Sequence, residues 1–338
     1  MKKILMLSVG RQTYLVDLFS RYFQVEIGDN SHLTLDMYEG VKKYLMPRYD
    51  SGEYASKLRK IVFEEGIDYL LSLSDIEIAL VSELESTLPS SCELLMPNKV
   101  ISYQCLDKYA FSKLLIQNGI GSPQTFLTPS EVKDAIKKGN LSFPIIGKSR
   151  WGMGSKGVTF IDNEEELELF YKLYKNKFKT PFFIGSEMER AEESLVFQEV
   201  INGEEYGLDI VNDLFGNWFM TAIKKKLMMR GGETDSAEIT TNSEILSVSQ
   251  NISKVLKHKG NVDCDILVNS RGIFVIDINP RFGGGYMFSL SAGLDVPYYL
   301  SCWTDGKIVP AEKMQLKTHG RFRKITELKS LSSIDNKL

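Results

Sequence analysis

Residues 262 to 285 read VDCDILVNSRGIFVIDINPRFGGG, and their acidic residues are spaced to work on one ligand. Two strands joined by a three-residue loop, Ser270-Arg271-Gly272 with Gly272 left-handed, set Asp265 opposite Asp277 and Asp263 opposite Asn279. Facing residues carry their Cβ atoms roughly 5 Å apart, so two carboxylates placed this way repel unless a cation sits between them. Oxygen-only ligands suit Mg²⁺, which takes its other ligands from water and phosphate. Asn279 points to the same side as Asp277 and completes the set, and Arg281 reaches a phosphoryl group in transit. An acidic outer hairpin face would explain the carboxylates, but not the Asn-Pro-Arg and three glycines that follow them.

A second stretch, KSRWGMGSKGVTF at 148 to 160, matches G-x-G-x-x-G through Gly152, Gly154 and Gly157. A dinucleotide fingerprint runs from strand through glycines into a helix, whose N-terminus holds the pyrophosphate. Here Val158, Thr159, Phe160 and Ile161 follow, and such residues continue as a strand. No G-K-[S/T] opens a helix, which excludes a Walker A loop. The loop is therefore a hairpin whose bare backbone amides, with Ser155, can nest an anion while Lys148 adds a positive charge. The bland alternative is a flexible turn. Between the two stretches, LVFQEVINGEEYGLDI offers strand backbone for a base, a turn at Asn202-Gly203 and a carboxylate for a ribose.

Elements that must position these groups follow from hydrophobic spacing. The first hundred residues alternate: strand KILMLSV, helix from Arg11, strand VEIGD, helix EYASKLRKIVFEE closed by Gly66, third strand IDYLLSLSD, and helix IEIALVSELESTL. That is a parallel sheet with both faces covered, and its carboxyl edge would present Gly10, Arg11, Asp29, Ser74 and Asp75. Each of these could equally cap a turn. Asp107 is placed to cap the helix KYAFSKLLIQNG. From about 140 to 285 the β-rich segments FPIIGKS, GVTFID, PFFIGSEM, SLVFQEVI, EYGLDIVND, NWFMTAIKKKL, VDCDILVN and IFVIDINP predict an antiparallel α+β region. Loops around 226 to 240 and 282 to 290 are expected to set specificity. The mildly basic tail after about 310 reads as a solvated edge or final strand.

With 41 basic and 44 acidic residues, the net charge of −3 gives no nucleic-acid or anionic-membrane surface. Cys92, Cys105, Cys264 and Cys302 are scattered, and the three histidines lie far apart, so neither a disulfide scaffold nor a zinc site is expected. No run approaches the roughly 20 apolar residues of a membrane span, and a cytoplasmic protein is the expectation.

With these pieces in order, the sequence resembles the ATP-grasp superfamily, particularly its short, single-copy carbamoyl-phosphate-synthase-like members. The match covers about residues 95 to 300. It rests on DKYAF, PIIGKS, the glycine loop, QEVINGEEY and D-x-N-P-R, the last usually E-x-N-P-R in the family. The resemblance implies a Rossmann-like pre-ATP-grasp domain over 1–106 and a two-part ATP-grasp domain over 107–310, with a flap subdomain at about 120–195, a metal subdomain at about 196–310, and a tail over 311–338. It implies that Lys108 and Lys148 contact ATP phosphates and that Gly152 to Gly157 form the flap over them. Gln198, Glu199 and Val200 correspond to the adenine hinge, partly through backbone, and Glu205 to the ribose carboxylate. Asp265, Asp277 and Asn279 match the Mg²⁺ ligands (Mn²⁺ being a substitute), with Asp263 the alternative to Asp265 upstream. Arg281 matches the arginine that supports the transferring phosphoryl group, and Lys226 and Arg230 line the reaction site. The implied chemistry joins a small-molecule carboxylate to an amine through an acyl phosphate. Activation of bicarbonate or carbamate and a non-catalytic ATP-binding role are the alternatives, and a homodimer stays open.

Overall fold

A computed structural model describes residues 1–151, 157–175, 177 and 194–325. The predicted segment PFFIGSEM and the loop residues Gly152, Gly154 and Ser155 lie outside the described residues.

The N-terminal unit is a five-stranded parallel sheet in the order β3-β2-β1-β4-β5. Its strands are β1 (Lys3–Leu7), β2 (Gln24–Asp29), β3 (Lys42–Leu45), β4 (Tyr69–Ser72) and β5 (Glu93–Leu94). Helices α1 (Thr13–Phe19), α2 (His32–Asp36), α3 (Tyr54–Glu65) and α4 (Asp75–Leu84) connect them. The predicted third strand is thus the fourth, because β3 intervenes. Its residues KKYL are mostly exposed and carry no apolar alternation to mark them. Gly66 closes α3 in the left-handed conformation, φ 62°, as expected.

Helices α5 (Lys99–Leu106) and α6 (Lys108–Gln117) lead out of this unit. Asp107 caps α6 through the backbone amides of Tyr109 and Ala110, both at 3.1 Å. A four-stranded antiparallel sheet follows, ordered β6-β9-β7-β8 from β6 (Thr125–Phe126), β7 (Ile145–Ser149), β8 (Thr159–Ile161) and β9 (Leu195–Glu199). Helices α7 (Pro129–Lys137) and α8 (Glu164–Tyr174) pack on it around Leu167, Phe170 and Phe197. The segment after the glycine loop is a strand, paired antiparallel to the one before it.

The third sheet has six strands in the order β14-β13-β10-β11-β12-β15. They are β10 (Glu204–Asn212), β11 (Trp218–Arg230), β12 (Glu233–Thr240), β13 (Gly260–Asn269), β14 (Gly272–Asn279) and β15 (Gly320–Arg323). Residues 226–240, expected as a loop, are instead the end of β11 and the whole of β12 with Gly231-Gly232 between them. The final strand β15 pairs with β12 at the sheet edge. Strand alternation divides this sheet chemically. Leu208, Ile210, Val262, Cys264 and Ile266 face α5, α6 and α9 (Ser243–Leu256) in one apolar core. Glu205, Asp209, Asp263 and Asp265 lie at the alternate positions of the same strands.

Two further helices, α10 (Tyr286–Ser291) and α11 (Val296–Thr304), tie that sheet to the N-terminal unit. Phe282, Tyr286, Leu294, Tyr299 and Leu300 share one core with Phe19, Leu15 and the parallel strands. Phe19 meets Phe282 edge-on at 5.8 Å, and the Tyr22 hydroxyl donates to Asp295 at 2.7 Å. The carboxyl edge of the parallel sheet is thereby held against the charged face of the six-stranded sheet.

Candidate active site

The β13–β14 hairpin places Asp265 opposite Asp277 and Asp263 opposite Asn279, as expected, but by a different route. The loop has two residues, Ser270 and Arg271, with Asn269 paired to Gly272. That register alone would miss the carboxylate pairing by one residue. A bulge between Asp265 and Ile266, opposite Ile276, absorbs the difference and turns Asp277 onto the face of Asp265.

Each of the two opposed carboxylates has its own lysine, which offsets their repulsion. Lys226 on β11 reaches Asp265 at 2.7 Å and Glu205 at 2.7 Å. Burial works against the charge of Lys226, but Asp265 and Glu205 outweigh it and raise its pKa above the ordinary lysine value. Lys108, the first residue of α6, reaches Asp277 at 3.2 Å. Burial pushes the Asp265 carboxyl up to about 7, with Asp263 and Asp277 adding to the rise against Lys226. Asp277 goes the other way: Lys108 and Lys148 overcome its burial and hold it below the usual carboxylate range. Lys148 on β7 stands in the same field. Burial first, and then the Lys108 charge, lower its pKa to about 8.

Arg281 folds back across the strand end. Its Nε donates to Asp75 Oδ2 at 3.0 Å, and one terminal nitrogen donates to the Phe282 carbonyl at 3.0 Å. Asp75 is 2% exposed and opens α4, so the parallel-sheet unit holds an arginine of the six-stranded sheet. Burial raises the Asp75 pKa against the pull of Arg281, and its Oδ1 has no hydrogen-bond partner. A cavity of about 10 Å³, room for roughly one water, is bordered by Asp75, Lys108, Trp151 and Asp277. Trp151 directly precedes the glycine loop. Its ring lies under the Arg150 guanidinium at 4.8 Å, while Arg150 forks onto Asp107 at 2.7 and 2.6 Å. A doubly bonded arginine on the helix cap thus fixes the base of the loop.

The remaining candidates divide. Gly157 closes the loop at φ 75°. Gln198 and Glu199 end β9 and Val200 follows, with the Gln198 side chain buried on Thr125 at 2.8 Å, leaving only backbone to face a ligand. Glu199 pairs with Arg271 at 2.7 Å. Arg230 is exposed at the end of β11, and among the described residues no hydrogen bond or ion pair links it to the cluster. At the parallel-sheet edge, Asp29 accepts from the amides of Gly10 and Ser31, both at 3.1 Å, and so caps turns.

Sequence reasoning missed one buried unit. Asp209 and Lys224 form an ion pair, with side chains 0% and 3% exposed, and Asp209 also accepts from Asn261 at 2.9 Å and Ser289 at 2.5 Å. A signal was present: Glu205, Gly207 and Asp209 alternate on β10, as Lys224 and Lys226 do on β11. Gly207 lies between the two lysines, and a Cβ there would come within 3.3 Å of Lys224 and 3.4 Å of Lys226.

A dication fits this donor set. Asp265 and Asp277 face each other across the hairpin with Asn279 beside them, and such oxygen ligands suit Mg²⁺, which takes its remaining ligands from water and phosphate. Among the described residues no helix is long and apolar enough to cross a membrane.

Residues 105–285 match the family model described as ATP-grasp domain, and residues 4–92 match the model described as PylC-like, N-terminal domain. The carbamoyl phosphate synthase large chain of Thermotoga petrophila is 24% identical over 185 residues, covering 52% of this chain and 16% of its own length. A Thermoanaerobacter homologue is 25% identical over the same length. The chain therefore spans about a sixth of the curated relatives it matches. Among solved structures, L-amino acid ligase from Bacillus licheniformis aligns with TM-score 0.64 and 18% identity, over 88% of this chain and 72% of that one. Biotin carboxylase from Campylobacter jejuni aligns with TM-score 0.73 and 15% identity, over 95% and 74%. N5-carboxyaminoimidazole ribonucleotide synthetase from Thermotoga maritima gives 0.65 and 16%, over 94% and 78%. These likenesses carry the fold.

Proposed function

The chain belongs to the ATP-grasp domain family, and from that premise we propose that it is an ADP-forming ligase joining a small-molecule carboxylate to an amine. The observation that carries this reading is the opposition of Asp265 and Asp277 beside Asn279, with Lys108, Lys148 and Arg281 converging on the same spot. Three cationic side chains around paired carboxylates form a site for a polyphosphate and its metal.

Asp265, Asp277 and Asn279 would hold Mg²⁺, or Mn²⁺ in its place, which supplies charge neutralisation for the β- and γ-phosphates. Lys108 and Lys148 bind phosphate oxygens, and Glu205 takes the ribose once Lys226 turns away. Arg281, fixed by Asp75, stabilises charge on the phosphoryl group as the substrate carboxylate attacks it. Little covalent chemistry is asked of the protein, and positioning and charge supply the rate. The acyl phosphate then meets the amine, which forms the C–N bond as phosphate leaves.

ADP release with Mg-ATP across a panel of carboxylic acids and amines tests this reading. ADP formed only when an acid and an amine are both present supports it. Turnover driven by bicarbonate alone, or ATP bound without turnover under every pairing, contradicts it.

The low pKa of Lys148 adds a pH dependence. Its ammonium is present below about pH 8 and lost above it, so KM for ATP should rise severalfold between about pH 7 and pH 9. Lys148→Arg keeps its charge throughout and should flatten the profile; an identical rise in that variant would assign the effect elsewhere.

A further inference from the structure

Among the described residues five buried side-chain polar atoms have no hydrogen-bond partner, and two of them belong to residues that border the same cavity. They are Asp75 Oδ1, an acceptor, and Trp151 Nε1, which can only donate. Asp75 is 2% exposed and Trp151 8%, so bulk solvent does not satisfy either atom, and leaving them unbonded is costly. The cavity holds about 10 Å³, and Lys108 and Asp277 border it as well. Leu106, Ile278 and Pro280 also line it, which strengthens any hydrogen bond made inside.

The chemistry of these groups narrows the occupant. An indole N–H and a lysine ammonium are donors that cannot ligate a metal ion, and two carboxylates oppose an anion. The volume suits roughly one water and excludes a phosphate or any larger organic group. What fits is a small neutral molecule that accepts from Trp151 and Lys108 and donates to Asp75 and Asp277. That molecule is water.

We propose that one buried water joins Trp151 Nε1 to Asp75 Oδ1, and that through it Trp151 is a positioning residue for Arg281; the positioning role rests on the ligase reading above. Asp75 receives Arg281 Nε on Oδ2 at 3.0 Å, which leaves Oδ1 as the atom by which the rest of the site can hold that carboxylate. Bonded at one oxygen only, a carboxylate still turns about its Cβ–Cγ bond. A second bond at Oδ1 fixes its plane, and with it the direction of the guanidinium. The indole at the other end is itself fixed, since its ring lies under Arg150 at 4.8 Å and Arg150 forks onto Asp107. One chain of contacts thus runs from the cap of α6 through Arg150, Trp151 and the water to Asp75 and Arg281. It ties the residue that precedes the glycine loop to the arginine at the phosphoryl group.

A crystal structure of the full chain that shows ordered solvent tests the water. One water at roughly 3 Å from both Trp151 Nε1 and Asp75 Oδ1 is the expected result. An empty space, a direct Trp151–Asp75 hydrogen bond or a metal ion there would overturn the site. Trp151→Phe tests the positioning role, because it keeps an aromatic ring under Arg150 and removes the donor. With the acid and amine that give fastest ADP release, kcat should fall about 5-fold while KM for ATP stays within about 2-fold. Arg281 serves the transferring group, whereas Lys108 and Lys148 serve the bound nucleotide. In an Arg281→Gln background the same change should lower kcat by less than about 2-fold, since the contact it acts through is gone. A KM that rises as kcat falls, or an equal fall in both backgrounds, would assign the loss to packing and overturn the role. An unchanged kcat in Trp151→Phe would overturn it too. A wild type with no acid- and amine-dependent turnover would bring down the ligase reading and the positioning role with it, while the crystal structure decides the water site by itself.

Discussion

Replacing Asp277 with alanine is expected to lower ATP-dependent turnover by at least about 1,000-fold, equivalent to roughly 4 kcal/mol of lost charge stabilisation. Asp277 faces Asp265 across the hairpin and is the carboxylate on which Lys108 and Lys148 both act. Without it, one of the proposed metal ligands disappears and the carboxylate that both lysines act on is gone. The fold should survive, because the Asp277 side chain is 32% exposed and the apolar side of β14 packs through Val275 and Ile278. Turnover and the thermal midpoint, measured together, check this: activity should vanish while the midpoint moves by only a few degrees. A fully active Asp277→Ala protein would remove the site from this hairpin.

The largest stability effect is expected at Asp209. Its carboxylate is fully buried and bonded to Lys224, Asn261 and Ser289. Asp209→Ala strands the Lys224 ammonium, whose side chain is 3% exposed, and should cost about 3 to 5 kcal/mol in denaturant unfolding. Adding Lys224→Met should recover more than half of that loss, because the penalty comes from the unpaired charge. If the double variant is as unstable as the single one, the loss comes from packing instead.

Sequence carried the chemistry further than it carried the architecture, for physical reasons that differ by residue. Asp265, Asp277 and Asn279 were nameable because opposed carboxylates are an unusual pattern, Lys148 because it precedes the glycine loop, and Lys108 only through the family resemblance. In the structure Lys108 and Lys148 stand beside Asp277, opposite Asp265, while Arg230 stands apart. In IKKKL nothing in composition says which lysines turn inward; only the strand register does, sending Lys224 and Lys226 to the site and Lys225 outward to Glu204. The carboxylate pairing was reached from a three-residue loop, whereas the chain uses two residues and a bulge. A bulge leaves no mark in an apolar run such as IFVID, because any residue can occupy it. Strand β12, ETDSAEIT, was hidden by its Asp, Ser and Glu, residues depleted in strands. The Asp75–Arg281 link spans 206 positions in sequence and depends on how two units dock. No local pattern encodes it.

The central claim is that this site makes an acyl phosphate from a carboxylate and ATP. The most direct measurement supplies the substrate acid labelled with heavy oxygen in its carboxylate and weighs the phosphate released on turnover. Direct attack on the γ-phosphoryl group predicts one heavy oxygen in each phosphate. Unlabelled phosphate, with product formed at the normal rate, would contradict the account.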